Sequence, residues 1–510
     1  MQLSISKIFS WYTGNIEKVL TCTCGLVLLA VALERLGIVF SYEAHTAGID
    51  NNFDYAVVRS LAGYSIYPNP SDYPYAVNPY APLFFILCKG GASLLHITAA
   101  DTMLVYRCTR AVCLLADTGT GICLYWIFRR LNVKNTAAVC GLAVFFAILC
   151  FLGYTINRAD ALFLFFYCAS ILLLLSPQWL PPALYTTGLA LLATMCLYSK
   201  QNGISLMVLI PAWFVIEKNY RRLFQFLFIA LLFSAGLFFY FEYVFTDHFF
   251  YDHTIHALKN RIDPRWFYVF VFKLMAGSWL TLPLGAALVL AARLLAETKS
   301  TALKQLSSIF VLQLTFNLVL SFKWGSSVGY FNESFLLGIV LITGFCSSSF
   351  AGSLAEPVKM AAACIYPAAA IFFLHIVLQL FFFFLNSRTE AREKFNEQAR
   401  AAGYIRKEIG NQERYVTDLS DADFNFFKTL LYKEAAAPNI DAVSCCTLPG
   451  KLFDYSGFLK GFTSGKIMFI ISKDRYLPES LWEASTGSYK KDTSFGAYNI
   501  FRYTPSVQNR

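Results

Sequence analysis

Residues 19–40 read VLTCTCGLVLLAVALERLGIVF, an apolar run of 22 residues. At about 1.5 Å per helical residue it is long enough to cross the roughly 30 Å of hydrocarbon in a bilayer. Working outward from it, the same kind of block recurs along the chain. The sequence has 510 residues, 57% of them apolar, and a mean hydropathy of +0.51. A soluble chain of this length would spread its apolar residues over domains of about 100–200 residues. Here they are gathered into blocks separated by short polar stretches, which predicts a mostly α-helical polytopic membrane protein with about eleven spans of roughly 20 residues each. The spans are placed at 19–40, 105–128, 135–154, 160–176, 183–199, 203–217, 223–244, 266–292, 306–322, 334–350 and 360–385.

Charge fixes the expected orientation. Arg129, Arg130 and Lys134 follow the second span, Lys218, Arg221 and Arg222 the sixth, and Arg293, Lys299 and Lys304 the eighth. Lys and Arg accumulate on the cytoplasmic side, so the N-terminus is expected inside and the tail outside. The net charge of +10 is thereby explained by topology rather than by a nucleic-acid partner. Of the 74 acids and bases, 33 lie after Asn386. This divides the chain into a membrane body, 1–386, and a soluble tail, 387–510. The fourteen cysteines fall mostly inside apolar blocks, as Cys22, Cys24, Cys113 and Cys150 do, where Cys acts as a small apolar residue. No disulfide is read from them, nor from the adjacent Cys445 and Cys446. The first apolar block is too long for a cleavable signal peptide and has no small-residue cleavage site.

Ala81–Ile97 is apolar enough to cross, but Lys89, Gly90 and Gly91 interrupt it, and crossing would put Arg129 and Arg130 on the wrong side. It is expected to be an interfacial or re-entrant helix on the outer face. The loop before it, 41–80, then faces outward. It holds Glu43, Asp50, Asp54 and Asp72 against a single Arg59, together with seven tyrosines. An aromatic belt at the headgroups explains some of these tyrosines, but not a forty-residue loop so early in a membrane body. Long ordered loops are commonly functional.

Ionisable residues gather where outer helix ends should meet that loop: Arg107 and Arg110, Arg158 and Asp160, Lys200 and Gln201, Lys323 and Glu333. Each alone reads most simply as an interface anchor. Their convergence on one face suggests a cationic pocket for a lipid phosphate whose tail stays in the bilayer. Beside it, a carboxylate would take a proton from an acceptor hydroxyl, while the cations stabilise the departing phosphate. A polyprenyl-phosphate sugar has this chemistry. No Walker loop, His-x-x-x-His pair or Gly-x-Ser-x-Gly elbow is present. His248, His253 and His256, with Asp247 and Asp252, leave room for a divalent cation. The favoured reading is a polar loop lining the acceptor path, with no metal assigned.

Four stretches resemble the integral-membrane, polyprenyl-phosphate-dependent GT-C glycosyltransferases. The resemblance is to the branch of the aminoarabinose and protein mannosyl transferases and the bacterial cell-surface polysaccharide enzymes. The stretches are IDNNFDYAVVRSLAGYSIYP with the following NPYAPLFFIL, then NRADALFLF, YSKQNGISL and KWGSSVGYFNESFLL. They occur in the family's order between positions 50 and 333. The resemblance implies an inverting glycosyltransferase acting on a glycan, lipid or polymer, in a bacterial inner membrane. It makes Asp50 the catalytic base, with Asp54 and Glu43 as rivals. Asp160 becomes the second acid, with Arg158 as its ion partner. Lys200 becomes the phosphate ligand, assisted by Arg110 and Lys323, and Tyr330 and Glu333 line the cavity. The sequence departs from the family at Asn51, where a second acid is common, and at Gly329, where Asn is frequent. The missing second acid keeps a catalytically idle assembly subunit in play. A transporter or flippase for lipid-linked sugars is the other alternative, though no internal repeat supports it.

The tail is expected to be a small α/β domain. DADFNFFKTLLYKE has helical spacing, KIMFIIS reads as a buried strand, and Leu448-Pro449-Gly450 and Ser464-Gly465 read as turns. No residue in it carries chemistry, and a structural cap is slightly favoured over an acceptor-docking module. The sequon Asn332-Glu333-Ser334 beside a span is read as chance.

Overall fold

The protein is described from a computed structural model covering residues 5–42, 50–153, 155–246, 248–258, 262–269, 280–298, 300–323, 326–347, 356–419, 426–436, 453–473 and 487–504. In chain order the helices are α1 (Ile5–Val39), α2 (Asp50–Leu61), α3 (Leu83–Leu94), α4 (Thr102–Arg130), α5 (Asn135–Leu152), α6 (Ala159–Leu174), α7 (Pro182–Ser199), α8 (Leu206–Ile216) and α9 (Tyr220–Phe239). They continue with α10 (Phe250–Thr254), α11 (Pro264–Tyr268), α12 (Thr281–Glu297), α13 (Thr301–Leu320), α14 (Asn332–Ser347), α15 (Glu356–Glu408), α16 (Phe427–Leu430) and α17 (Ser456–Thr463). The strands are β1 (Arg414–Asp418), β2 (Ile467–Ser472), β3 (Tyr489–Phe495) and β4 (Tyr498–Tyr503).

Among the described residues, six helical stretches are long and apolar enough to cross a membrane: Glu17–Val39, Thr102–Arg130, Asn135–Leu152, Tyr220–Phe245, Thr301–Leu320 and Val328–Phe345. The protein is a multi-pass membrane protein. Where described, the expected spans fall on helices, with changes at the edges. Of the eighth, expected at 266–292, the described residues lie in α11 and in α12, which runs on to Glu297; 270–279 lie outside the described residues. The sixth is an eleven-residue helix entered through a 3-10 turn at Gln201–Ser205. α3 has 12 residues, about 18 Å of helix, too short to span. Leu94 and Leu95 at its end are exposed, as suits an interfacial helix.

The chain folds as two compact units. The membrane unit comprises 1–37, 113–234 and 260–385. Its core joins Leu164, Tyr167 and Ile171 of α6 to Leu189 and Ala193 of α7, Trp213 of α8, Ala287 of α12, Phe310 of α13 and Leu336 of α14. α6 and α7 form a helical hairpin closed by the short turn Pro177–Trp179, so the start of α6 and the end of α7 lie at the same end.

The loop-and-tail unit comprises 38–112, 235–259 and 386–510. Its sheet has the order β1-β2-β4-β3, with β1 and β2 parallel and the other pairs antiparallel. KIMFIIS supplies β2 as expected. The helix expected over DADFNFFKTLLYKE is reduced to the four residues of α16, with 420–425 outside the described residues. Leu448-Pro449-Gly450, Cys445 and Cys446 also lie outside them. Ser464-Gly465 is a turn, with Gly465 at φ 73°, a left-handed conformation that costs glycine little. The unit's core mixes the two parts of the chain. Tyr55 and Ala76 of the loop pack with Ala401, Tyr415, Phe427 and Phe469, and Val77 packs with Phe458 and Ile470. The expected boundary between body and tail, 386/387, falls inside α15, a continuous helix of 53 residues.

Candidate active site

The sequence YSKQNGISL turns sharply after α7. Lys200 is extended, at φ −154° and ψ 137°, and the 3-10 turn then carries the chain into α8. The turn brings Gly203 against the backbone of Cys196 and Leu197, so closely that a Cβ there would collide with it. Glycine is therefore required by a close approach, and the approach sets where Lys200 points. Lys200 Nζ donates to Asp160 Oδ1 at 2.5 Å, and Arg158 Nε lies 3.4 Å from Asp160 Oδ2. The three side chains are at most 9% exposed. Asp160 sits in the first turn of α6, where the helix dipole favours a carboxylate. One acid thus holds two cations contributed by the two ends of the hairpin.

Two further expected residues belong to this cluster. The ring of Tyr330, in the 3-10 turn Val328–Phe331, is centred 5.2 Å from Lys200 Nζ. Glu333, in the first turn of α14, is 1% exposed and is attracted by Lys200 and repelled by Asp160. Neither of its carboxylate oxygens meets a donor from another residue among those described. A hydrogen-bonded relay fixes the turn on which it stands. Tyr167 Oη donates to Gln313 Oε1, Gln313 Nε2 to Asn317 Oδ1, and Asn317 Nδ2 to Ser334 Oγ. Asn332, Glu333 and Ser334 are all buried, which removes the sequon from reach of modification in the folded chain. Lys323 pairs its backbone with Ile262, and burial lowers its ammonium below the ordinary lysine value. No hydrogen bond or ion pair among the described residues joins it to the Lys200 cluster.

The other expected residues lie in the loop-and-tail unit. Asp50 is the first residue of α2; its side chain lies outside the described residues, as does Glu43. Asp54 Oδ1 accepts from Thr109 Oγ1 at 2.8 Å, tying α2 to α4. Arg110 is held by the carbonyl of Ile38, the Ser41 hydroxyl and Tyr106 Oη, so it binds the end of α1.

His253 is fully buried. Its Nδ1 accepts from the Asn78 backbone N–H at 2.9 Å, and its Nε2 lies 2.6 Å from the Pro68 carbonyl. That pattern fits a neutral ring with its proton on Nε2, and burial pushes the pKa down to about 4. His256 pairs with Asp252 at 3.3 Å. Among the described residues no three His, Cys, Asp or Glu converge as metal ligands; Asp247 lies outside them.

Two features were not anticipated. Arg35 pairs with Asp117 at 2.6 Å and also reaches Thr155, while Cys150 Sγ donates to Glu34 at 2.7 Å. These charges sit inside apolar blocks, and a charge in a span signals a partner on another span. The second feature is a hollow beside α2, lined by Asn52, Tyr55 and Arg59, whose 3-and-4 spacing marks one helix face.

The fold, a multi-pass membrane body with a small sheet-bearing tail, is shared with solved structures. The particular likeness is to ArnT from Cupriavidus metallidurans. The structure of ArnT bound to undecaprenyl phosphate matches with a TM-score of 0.61 at 12% identity, over 94% of this chain and 98% of that one. The apo ArnT structure matches with a TM-score of 0.59, at the same identity and coverage. No protein-family model and no curated protein sequence matches the chain.

Proposed function

We propose that the protein is a glycosyltransferase that moves one sugar from a polyprenyl phosphate to an extracytoplasmic glycan, lipid or polymer acceptor, with inversion. The observation that carries this reading is the Lys200–Asp160–Arg158 cluster with Glu333 under the charge of Lys200 and its carboxylate meeting no donor from another described residue, in a fold shared with an ArnT bound to undecaprenyl phosphate. Residues 1–386 form the catalytic domain, with 41–104 as its outer loop, and 387–510 form the extracytoplasmic tail. The N-terminus is cytoplasmic, in a bacterial inner membrane.

An ammonium has three donors. Asp160 takes one from Lys200 and leaves two for a phosphate, with Arg158 adding a fork that suits phosphate oxygens. Glu333 accepts from sugar hydroxyls, and Tyr330 gives the ring a flat wall. Asp50 removes the proton from the acceptor hydroxyl, with Asp54 tied to Thr109 and so less free to do it. The acceptor oxygen attacks the anomeric carbon from the side opposite the phosphate. The carbon–oxygen bond to phosphate breaks, its electron pair leaves on the phosphate, and the cations stabilise that charge.

The test uses purified full-length protein in detergent with a panel of synthetic undecaprenyl-phosphate pentoses and hexoses, and a cell-envelope extract as acceptor. Mass spectrometry should find released undecaprenyl phosphate together with a new glycosidic bond. Asp50→Asn should slow both by about 10²–10⁴. Movement of labelled lipid across sealed vesicles, with no new bond for any donor, would instead establish a transporter.

A further inference from the structure

We propose that the hollow beside α2 is a binding site for a single oxyanion group, a carboxylate or a phosphate, distinct from the Lys200 cluster. Its volume is about 30 Å³. That exceeds the roughly 10–15 Å³ a water molecule needs and is too little to enclose a sugar ring, so it takes one small polar group.

The lining is rich in donors and has no acid. Arg59 is 7% exposed and has no carboxylate within ion-pair reach among the described residues. Its guanidinium faces the rings of Tyr55 and Tyr64, 5.6 Å and 4.7 Å away. Nη1 makes one long contact to Tyr55 Oη at 3.4 Å, and Nε has no partner among the described residues. A buried charge left in this state costs several kcal/mol, which a ligand would recover. Asn78 Nδ2, also in the lining, is a second buried donor without a partner among the described residues. On the α2 side, Lys428 donates to Asn52 Oδ1 at 3.2 Å, which adds a second buried cation and occupies the acceptor that Asn52 could have offered. A guanidinium and an amide donor lining one space, with a second cation held just behind Asn52, select a ligand that only accepts, and the arginine fork matches the spacing of carboxylate and phosphate oxygens.

The walls are already set for such a ligand. His253 holds Asn78 and Pro68 from behind, Tyr67 Oη donates to the Tyr80 carbonyl at 2.7 Å, and Tyr73 Oη donates to the Lys433 carbonyl at 2.5 Å. The site needs no rearrangement to receive an anion.

Full-length protein in detergent is titrated with sodium phosphate and with sodium acetate at an ionic strength held constant with chloride. In parallel it is placed in nanodiscs with and without dioleoyl phosphatidate. Thermal unfolding is read for the wild type, Arg59→Gln, Asn78→Ala and Lys200→Met. The wild type should be stabilised by at least one oxyanion. A response in solution identifies a soluble anion or the anionic group of a soluble acceptor; a response only to phosphatidate identifies a lipid headgroup. Arg59→Gln and Asn78→Ala should each weaken the response about tenfold, and Lys200→Met should keep it. If Arg59→Gln does not fold, Asn78→Ala decides. The proposal is overturned if no probe stabilises the wild type, if both hollow variants respond like it, or if Lys200→Met abolishes the response while Asn78→Ala does not.

Discussion

Asp160 accepts a hydrogen bond from Lys200 at 2.5 Å across the open end of the α6–α7 hairpin. The same carboxylate holds Arg158, so a single acid positions both cations that the proposed chemistry needs. Asp160→Asn keeps the shape and removes the charge, leaving two buried cations without their counter-ion. Breaking a buried pair in this way costs about 3–5 kcal/mol. The variant should melt well below the wild type and should raise the donor KM more than Lys323→Met does. Thermal unfolding and donor titration check both outcomes.

Gly203→Ala should act on Lys200 without touching it. The added methyl has no room against the Cys196 backbone, and overpacking costs about 1–3 kcal/mol. The turn that aims Lys200 must shift, so kcat/KM should fall at least tenfold. Gly236→Ala is the control, because a Cβ there meets nothing. Comparing kinetics and melting curves of the two variants tests the prediction.

Glu333→Gln separates stability from function. The glutamate is buried, and among the described residues its oxygens meet no donor from another residue, so removing its charge should not lower the melting temperature. Transfer should still fall at least tenfold if Glu333 accepts from sugar hydroxyls. A variant with wild-type turnover would remove Glu333 from the site.

His253 makes the loop-and-tail unit sensitive to acid. Its folded pKa of about 4 lies below the ordinary 6.5, so the unfolded chain takes up a proton first as pH falls. Stability is therefore complete above about pH 6.5 and declines toward pH 4, by at most about 3 kcal/mol. Protonated Nδ1 would also face the Asn78 N–H, donor against donor. Hydrogen exchange over residues 65–80 should accelerate between pH 7 and 4.5 beyond its intrinsic pH dependence, and His253→Gln should flatten the change.

The membrane architecture was legible because its signal is local. The block at 19–40 and its successors reveal helices by length and composition, and the polar interruption in Ala81–Ile97 with the arginines that follow flagged that stretch as one that does not span; α3 runs through Gly90 and Gly91 and ends at Leu94. Contacts between distant segments were less legible. Asp160 and Lys200 lie 40 residues apart and meet only because α6 and α7 fold back on each other; each was recognised, but not as the other's partner. Arg35 and Asp117 were hidden inside spans whose apolar average masks single charges. The shared core of Tyr55 and Ala76 with Tyr415 and Phe469 joins segments more than 300 residues apart, which no local periodicity encodes. The helix expected over DADFNFFKTLLYKE yielded to that core: Phe427 is buried against Tyr498, and Tyr415 Oη donates to its carbonyl.

The most direct measurement is the position of the phosphate in an experimental structure of the full-length protein with undecaprenyl phosphate. The account predicts a phosphate oxygen about 2.7–2.9 Å from Lys200 Nζ, with Asp160 still paired to Lys200 and the Asp50 carboxylate on the side from which an acceptor would enter. A phosphate bound away from Lys200, or no lipid bound at saturating concentration, would contradict it.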